Sequence, residues 1–226
     1  MTTILNSPTG LQSTGKHVKA LFGAVLPHVA AEEDQRHPVA LTKLHLEVSD
    51  GELRLIGTDR YTLAVVRWPL TAAVRSFATR FSVATGRISK IIADLEDDAS
   101  VDMRIKKTKL IITAGETTWV VPGMTGAPID PPWRRSLGKY LSPADVPVGR
   151  ILIDPKFLAR LESAKALLKP ETPVAFHLRG ENKPVIVTLG TVFLALVMPI
   201  RELGADKDLL PTRPLDGWFD LVDEEN

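Results

Sequence analysis

Lys43-Leu44-His45-Leu46-Glu47-Val48-Ser49-Asp50-Gly51-Glu52-Leu53-Arg54-Leu55-Ile56-Gly57-Thr58-Asp59-Arg60-Tyr61-Thr62-Leu63-Ala64 is the stretch that decides the fold class. Leu44, Leu46 and Val48 alternate with His45 and Glu47, the period of two by which a strand turns one face to a core. Ser49-Asp50-Gly51 is turn chemistry. Leu53-Arg54-Leu55 and Leu63-Ala64-Val65-Val66 then resume strand-like sequence. Short strands joined by tight turns predict an antiparallel meander.

Working outward, the meander follows an amphipathic helix expected from about Thr14 to Ala31. Val18, Leu21, Phe22, Val25 and Val29 share one face of a 3.6-residue period, and Pro27 is expected to kink or end the helix. A second helix is expected over Thr85 to Leu95, with Ile88, Ile91, Ile92 and Leu95 on its apolar face. A third is expected over Asp154 to Leu168, with Phe157, Leu158, Leu161 and Leu168. Thr85 and Asp154 suit N-cap positions, and Pro155 suits the first helical position. Strands alternate after the second helix at Val101, Met103 and Ile105, continuing through Leu110–Thr113 and Trp119–Val121. After the third helix come Val174, Phe176 and Leu178, then Val185–Leu189 and Val192–Met198. Short strands, Phe81–Val83 and Arg150–Ile153, precede the second and third helices. The helix starts lie 71 and 69 residues apart. The fold class is therefore α+β, with three repeats of one helix plus antiparallel strands. The proline-rich stretch Pro122 to Pro147 reads as a connector between the first two units and the third.

Three motifs carry a family resemblance. Gly51 to Ala64 resembles the strand–turn–strand signature in the middle domain of the bacterial replicative sliding clamp, the beta subunit of DNA polymerase III, with its Thr-Asp pair and Leu-Ala. Pro131-Pro132-Trp133-Arg134-Arg135-Ser136-Leu137 resembles that family's proline–aromatic–arginine–arginine segment. Val197-Met198-Pro199-Ile200-Arg201 resembles its carboxyl-terminal Met-Pro strand. The three occur in the family's order. The resemblance implies the DNA-clamp fold, with residues 1–142 as one complete clamp-like domain of two units. Residues 143–201 then form half of the next domain, and 202–226 an acidic tail. The family's subunit has three full domains, so about half of that architecture is missing here.

Composition bounds the function. The chain has 226 residues, 44% of them hydrophobic, which is enough to build a real core. It contains no cysteine, so disulfides and thiolate metal sites are excluded. No apolar run reaches membrane-spanning length and the start lacks a signal-peptide pattern, so a cytoplasmic protein with no membrane partner is expected. The net charge of +1 conceals a division. Residues 202–226 hold eight acidic and two basic side chains, which leaves the body at about +7, a balance that suits a polyanion.

No catalytic constellation emerges. The five histidines are scattered without metal-ligand spacing, and neither a Walker motif nor G-x-G-x-x-G is present. Asp97-Asp98 and Glu32-Glu33-Asp34 read as solvated helix ends rather than acid–base pairs. Asp59 is expected to cap its turn through backbone N–H groups. The expectation is a protein without catalytic residues, metal or cofactor. Lys16 and Lys19, Arg87 and Lys90, and Lys156 and Arg160 form one basic pair on each helix, off the apolar stripe. They read either as ordinary surface charge or as sequence-indifferent contacts to double-stranded DNA. The resemblance implies the second, since the family's helices line the hole of a ring.

The resemblance also implies a peptide-docking pocket. The matching positions are Thr58, Leu63, Pro131, Arg135, Met198, Pro199, Ile200 and Arg201. Leu63 and Met198 taken alone read equally well as core. The implied function is a sliding-clamp-like processivity factor, with DNA polymerase or other clamp-binding proteins docking by short peptide motifs. A homo-oligomer is implied as well, a tetramer if a ring of twelve units closes. The competing reading is a ringless interaction module that binds partner peptides or competes with a true clamp. In the tail, Pro214 to Leu221 sets Leu215, Trp218 and Phe219 in an acidic context. That segment suits either packing on its own sheet edge or docking in the pocket.

Overall fold

The computed structural model describes residues 10–31, 38–70, 78–125, 133–141, 151–168, 171–180 and 182–200. The acidic tail lies outside them. The first unit is β1 (Gly10–Thr14), α1 (Gly15–Gly23), β2 (Lys43–Ser49), β3 (Glu52–Thr58) and β4 (Thr62–Pro69). The same order recurs as β5 (Thr79–Ala84), α2 (Thr85–Asp94), β6 (Ser100–Lys106), β7 (Lys109–Ala114) and β8 (Thr117–Pro122). After α3 (Trp133–Leu141) come α4 (Pro155–Glu162), β9 (Val174–His177), β10 (Val185–Leu189) and β11 (Phe193–Val197). The α+β class and the meander are as the alternation predicts.

Two antiparallel sheets result. One has the order β1-β6-β7-β8, the other β5-β2-β3-β4-β11-β10-β9. The last three strands therefore extend the sheet of the first unit, with β11 alongside β4 in the register Leu196↔Leu63 and Val197↔Thr62. Val18, Leu21 and Phe22 of α1, Ile88 and Ile91 of α2, and Phe157 and Leu161 of α4 join the inner faces of both sheets in one core. Helix α1 packs between α2 and the 3-10 turn Ser163–Leu167 that follows α4. Gly57 permits the segment after α1 to pack closely on β3, since a Cβ there would sit 2.8 Å from Val29 Cγ2 and 2.9 Å from the Val25 carbonyl.

Several boundaries differ from the sequence reading. The first helix stops at Gly23, and a 3-10 turn over Leu26–His28 takes the chain round at Pro27, whose ring cannot continue an α-helix. Thr85 is already helical and the cap position is Ala84, with no side-chain cap. Asp154 does cap α4, accepting from Lys156 N at 3.0 Å, with Pro155 in the first turn. Residues 151–153 form no strand, and one bond from Ile200 N to Leu152 O at 2.8 Å stands in its place. Leu158, Phe176 and Leu178 are exposed rather than core, the last two because β9 is the outer strand of its sheet.

The connector contains α3, which the proline content concealed. Its polar-looking sequence covers the reverse face of the seven-stranded sheet. Trp133, Leu137 and Tyr140 pack there on Ile56, Leu63, Val65, Ile186 and Leu196. This second covered face explains why β2 is buried on both sides instead of alternating, His45 and Glu47 included.

Candidate functional site: an apolar cleft at the β4–β11 junction

The turn between β3 and β4 forms one wall. Asp59 Oδ1 accepts hydrogen bonds from Tyr61 N at 3.0 Å, Thr62 N at 2.7 Å and the Thr62 hydroxyl at 3.0 Å. The Thr58 hydroxyl donates to the Thr62 carbonyl at 2.7 Å. Asp59 thus caps the turn, as its position predicts, and the cap holds Arg60 at a φ of 77°, left-handed backbone that a non-glycine residue rarely occupies.

Helix α4 locks onto this turn. Arg160 Nη1 lies 2.6 Å from Asp59 Oδ2 and 2.8 Å from the Thr62 hydroxyl. Phe157 stacks near the Tyr61 ring at 6.1 Å between centroids, with the Arg160 guanidinium 5.1 Å from the Phe157 ring. Beyond β11, Met198 N donates to the Tyr61 carbonyl at 2.8 Å. The first and last sequence motifs therefore lie side by side.

Helix α3 forms the opposite wall, and a buried carboxylate anchors it. Glu47 accepts from Arg134 through both oxygens, one at 2.8 Å, and from Trp133 Nε1 at 3.4 Å. Arg54 and Arg80 approach the same carboxylate at 3.3 Å each. Burial alone would raise the pKa of Glu47. The hydrogen bonds and charge of Arg134, with Trp133 and Arg80, outweigh it and hold the carboxyl down at about 2.

Two cavities open beside the turn, one toward α3 and one toward α4. One, of about 380 Å³, is lined by Thr58, Leu63, Trp133, Tyr140, Leu196 and Met198 among others. The second, of about 530 Å³, is lined by Asp154, Lys156, Phe157, Met198, Pro199 and Ile200 with the turn. Arg60, Tyr61 and Met198 belong to both, so the two form one cleft. Its surface is mainly aliphatic, aromatic and Met, with Arg60 and the Lys156–Asp154 pair at the rim.

Five of the eight predicted peptide-site residues, Thr58, Leu63, Met198, Pro199 and Ile200, line this cleft. Arg135 is exposed on α3 and lines neither cavity, while Pro131 and Arg201 lie outside the described residues. Leu63 is both core and wall. Sequence reasoning missed Tyr61, Trp133 and Tyr140, although Tyr61 and Trp133 stood within quoted motifs.

The six predicted DNA-contact residues fall into three groups. Lys16, Arg87 and Lys90 are exposed, and the charge of Lys16 also acts on Asp97. Lys19 pairs with Asp97 at 2.8 Å and Lys156 with Asp154 at 2.7 Å, contacts that water screens. Arg160 is turned into the protein by Asp59. Among the described residues no cluster of metal-ligating side chains occurs. No described helix is long and apolar enough to cross a membrane.

Solved structures carry the same architecture. The chain superposes on the DNA polymerase sliding clamp of Bacillus subtilis with a TM-score of 0.65 and 14% identity, over 90% of this chain and 67% of that one. The fold is that of the bacterial sliding clamp. The DNA polymerase III beta subunit of Thermotoga maritima gives a TM-score of 0.64 at 14% identity, over 90% of this chain and 68% of that one. The Pseudomonas aeruginosa sliding clamp gives 0.61 at 17% identity, over 85% and 67%. The chain spans 65% to 68% of the length of these clamps and the beta subunit of Eubacterium rectale. No protein-family model matches the chain, and no curated protein matches it in sequence.

Proposed function

We propose that this chain is a sliding-clamp-like processivity factor that docks short partner peptides in the cleft at the β4–β11 junction and contacts duplex DNA through its helices. It would tether its partner, a DNA polymerase or another clamp-binding protein, without catalysing a reaction. The observation that carries this reading is the convergence of Thr58, Leu63, Met198, Pro199 and Ile200, from motifs far apart in sequence, on one apolar cleft. A concave apolar surface with aromatic and Met walls and charged groups at its rim suits a short peptide with apolar anchors.

The row of α2, α1 and α4 supports the DNA-facing role, with Lys16, Lys19, Arg87, Lys90 and Lys156 on it. Arg160 is left out of that set, because Asp59 engages its charge. Residues 1–142 would form one complete clamp domain and residues 143–201 half of another. Four copies would supply twelve units, so a closed ring implies a tetramer on native mass measurement.

The docking reading is tested with a fluorescein-labelled peptide carrying Gln, Leu and a terminal aromatic, followed by anisotropy. Binding at micromolar Kd is expected, on the order of −8 kcal/mol. Met198→Ala should weaken it at least severalfold, since it strips a wall shared by both cavities. Absence of binding to the unaltered protein would remove the docking function.

A further inference from the structure

The cleft is largely apolar, with Arg60 and Lys156 exposed at its rim. Ile200 forms part of its wall and is held to Leu152 by a backbone hydrogen bond. The chain that continues from this wall, residues 202–226, carries eight acidic and two basic side chains. Within it Pro214-Leu215-Asp216-Gly217-Trp218-Phe219-Asp220-Leu221 sets two aromatics and two leucines among aspartates. We infer that residues 214–221 dock in the cleft of their own chain and so regulate its access to partner peptides. This rests on the peptide-docking reading above and names the regulator of that site.

Three features carry the inference. The first is origin, because the segment leaves from the wall of the cavity it would fill. Thirteen residues separate Ile200 from Pro214. Extended chain covers roughly 3.3 Å per residue, so this connection reaches some 40 Å and can double back over a cleft that adjoins its start. The second is chemistry. Leu215, Trp218 and Phe219 are apolar anchors of the kind that Leu63, Tyr61, Trp133 and Met198 would bury. The third is charge, since Asp216 and Asp220 would approach Arg60 at the rim, where Lys156 is already paired with Asp154.

Tethering sets the size of the effect. A segment linked this closely acts at an effective concentration of about 1 mM. With a free Kd of ~100 µM it would occupy the cleft about nine-tenths of the time and weaken a competing peptide about tenfold.

The test compares the full chain with a full-chain Trp218→Ala/Phe219→Ala variant, using the same fluorescein-labelled Gln-Leu-aromatic peptide. The variant is expected to bind the probe about tenfold tighter. An unlabelled synthetic peptide of residues 212–223 is expected to displace the probe from the variant. Equal affinity of the two proteins overturns self-docking while leaving the peptide site intact. Failure of the 212–223 peptide to compete overturns it as well. A difference that grows with protein concentration overturns docking within one chain in favour of exchange between copies. Binding of the probe to neither protein overturns the docking reading and this inference together.

Discussion

Replacing Glu47 by Gln keeps the shape of the side chain and removes the charge that holds α3 to the sheet. The carboxylate is 5% exposed, whereas Arg134 and Arg80 are 45% and 62% exposed. Holding a carboxyl at about 2 instead of 4.5 corresponds to a ceiling of ~3 kcal/mol. Water around the two arginines screens part of that, so about 1–2 kcal/mol is the expected loss at pH 7. In urea, with a slope near ~2 kcal/mol/M, the midpoint should fall by roughly 0.5–1 M. The pH dependence identifies the cause. The pKa of Glu47 is lower in the folded state, so its contribution is present above pH 4.5 and drains away as pH falls toward about 2. His28 also binds protons more readily when unfolded, because burial foremost, with Arg160 nearby, lowers its folded pKa to about 4. Its share is lost between pH 6.5 and about 4. Urea titrations at pH 7, 5.5, 4 and 3 should therefore show Glu47→Gln retaining the His28 decline and weakening the one below pH 4.5, to which Glu52, held low by Arg67, also contributes. A variant that tracks the unaltered protein through that lower window would refute the reasoning. Since Glu47 also fixes Trp133, peptide affinity in the cleft should fall severalfold in the same variant.

Other changes test other parts of the site. Gly57→Ala forces a methyl to 2.8 Å from Val29 Cγ2, and the melting temperature should drop by the equivalent of about 1–3 kcal/mol. Arg160→Met leaves Asp59 with only its turn hydrogen bonds; chemical denaturation should show a loss of about 1–3 kcal/mol. Peptide binding should weaken with it, as Phe157 loses its hold beside Tyr61. Arg60→Gly relieves left-handed backbone, so thermal unfolding should show unchanged or higher stability, by up to ~1 kcal/mol, while affinity for an acidic peptide falls. Arg87→Glu with Lys90→Glu should abolish low-salt duplex binding without changing the circular dichroism spectrum; retained DNA binding would place the contact elsewhere.

The parts of the fold that depend on local alternation were legible in the sequence. Leu44, Leu46 and Val48 point inward as their period requires, and Asp59 and Asp154 cap where their side chains can reach backbone N–H groups. Where a second layer intervenes, the period fails. Glu47 reads as a solvent-facing strand residue but is buried beneath Trp133 and Arg134, contributed more than 80 residues later. Helix α3 itself has no buried residue and sits in proline-rich sequence, so neither burial pattern nor capping announces it. Arg160 reads as surface charge because its partner, Asp59, is about 100 residues away. Tyr61 is exposed and gains meaning only from the Met198 and Phe157 that the fold brings beside it.

The pairing of β11 with β4 joins residues more than 130 positions apart, Leu196 beside Leu63. Closing so long a loop costs about 4 kcal/mol of chain entropy before any contact rewards it. Long-range strand pairing of this kind slows folding, and here it falls at the end of the order in which a chain is synthesised. A nascent polypeptide that has reached α4 already holds Tyr61, Trp133 and the Asp59–Arg160 pair, yet it lacks Met198, and the edge of β4 stands open. The cleft then comes into being in one late step, when β11 zips along that edge. Ligand capture would thus report that β11 has paired with β4.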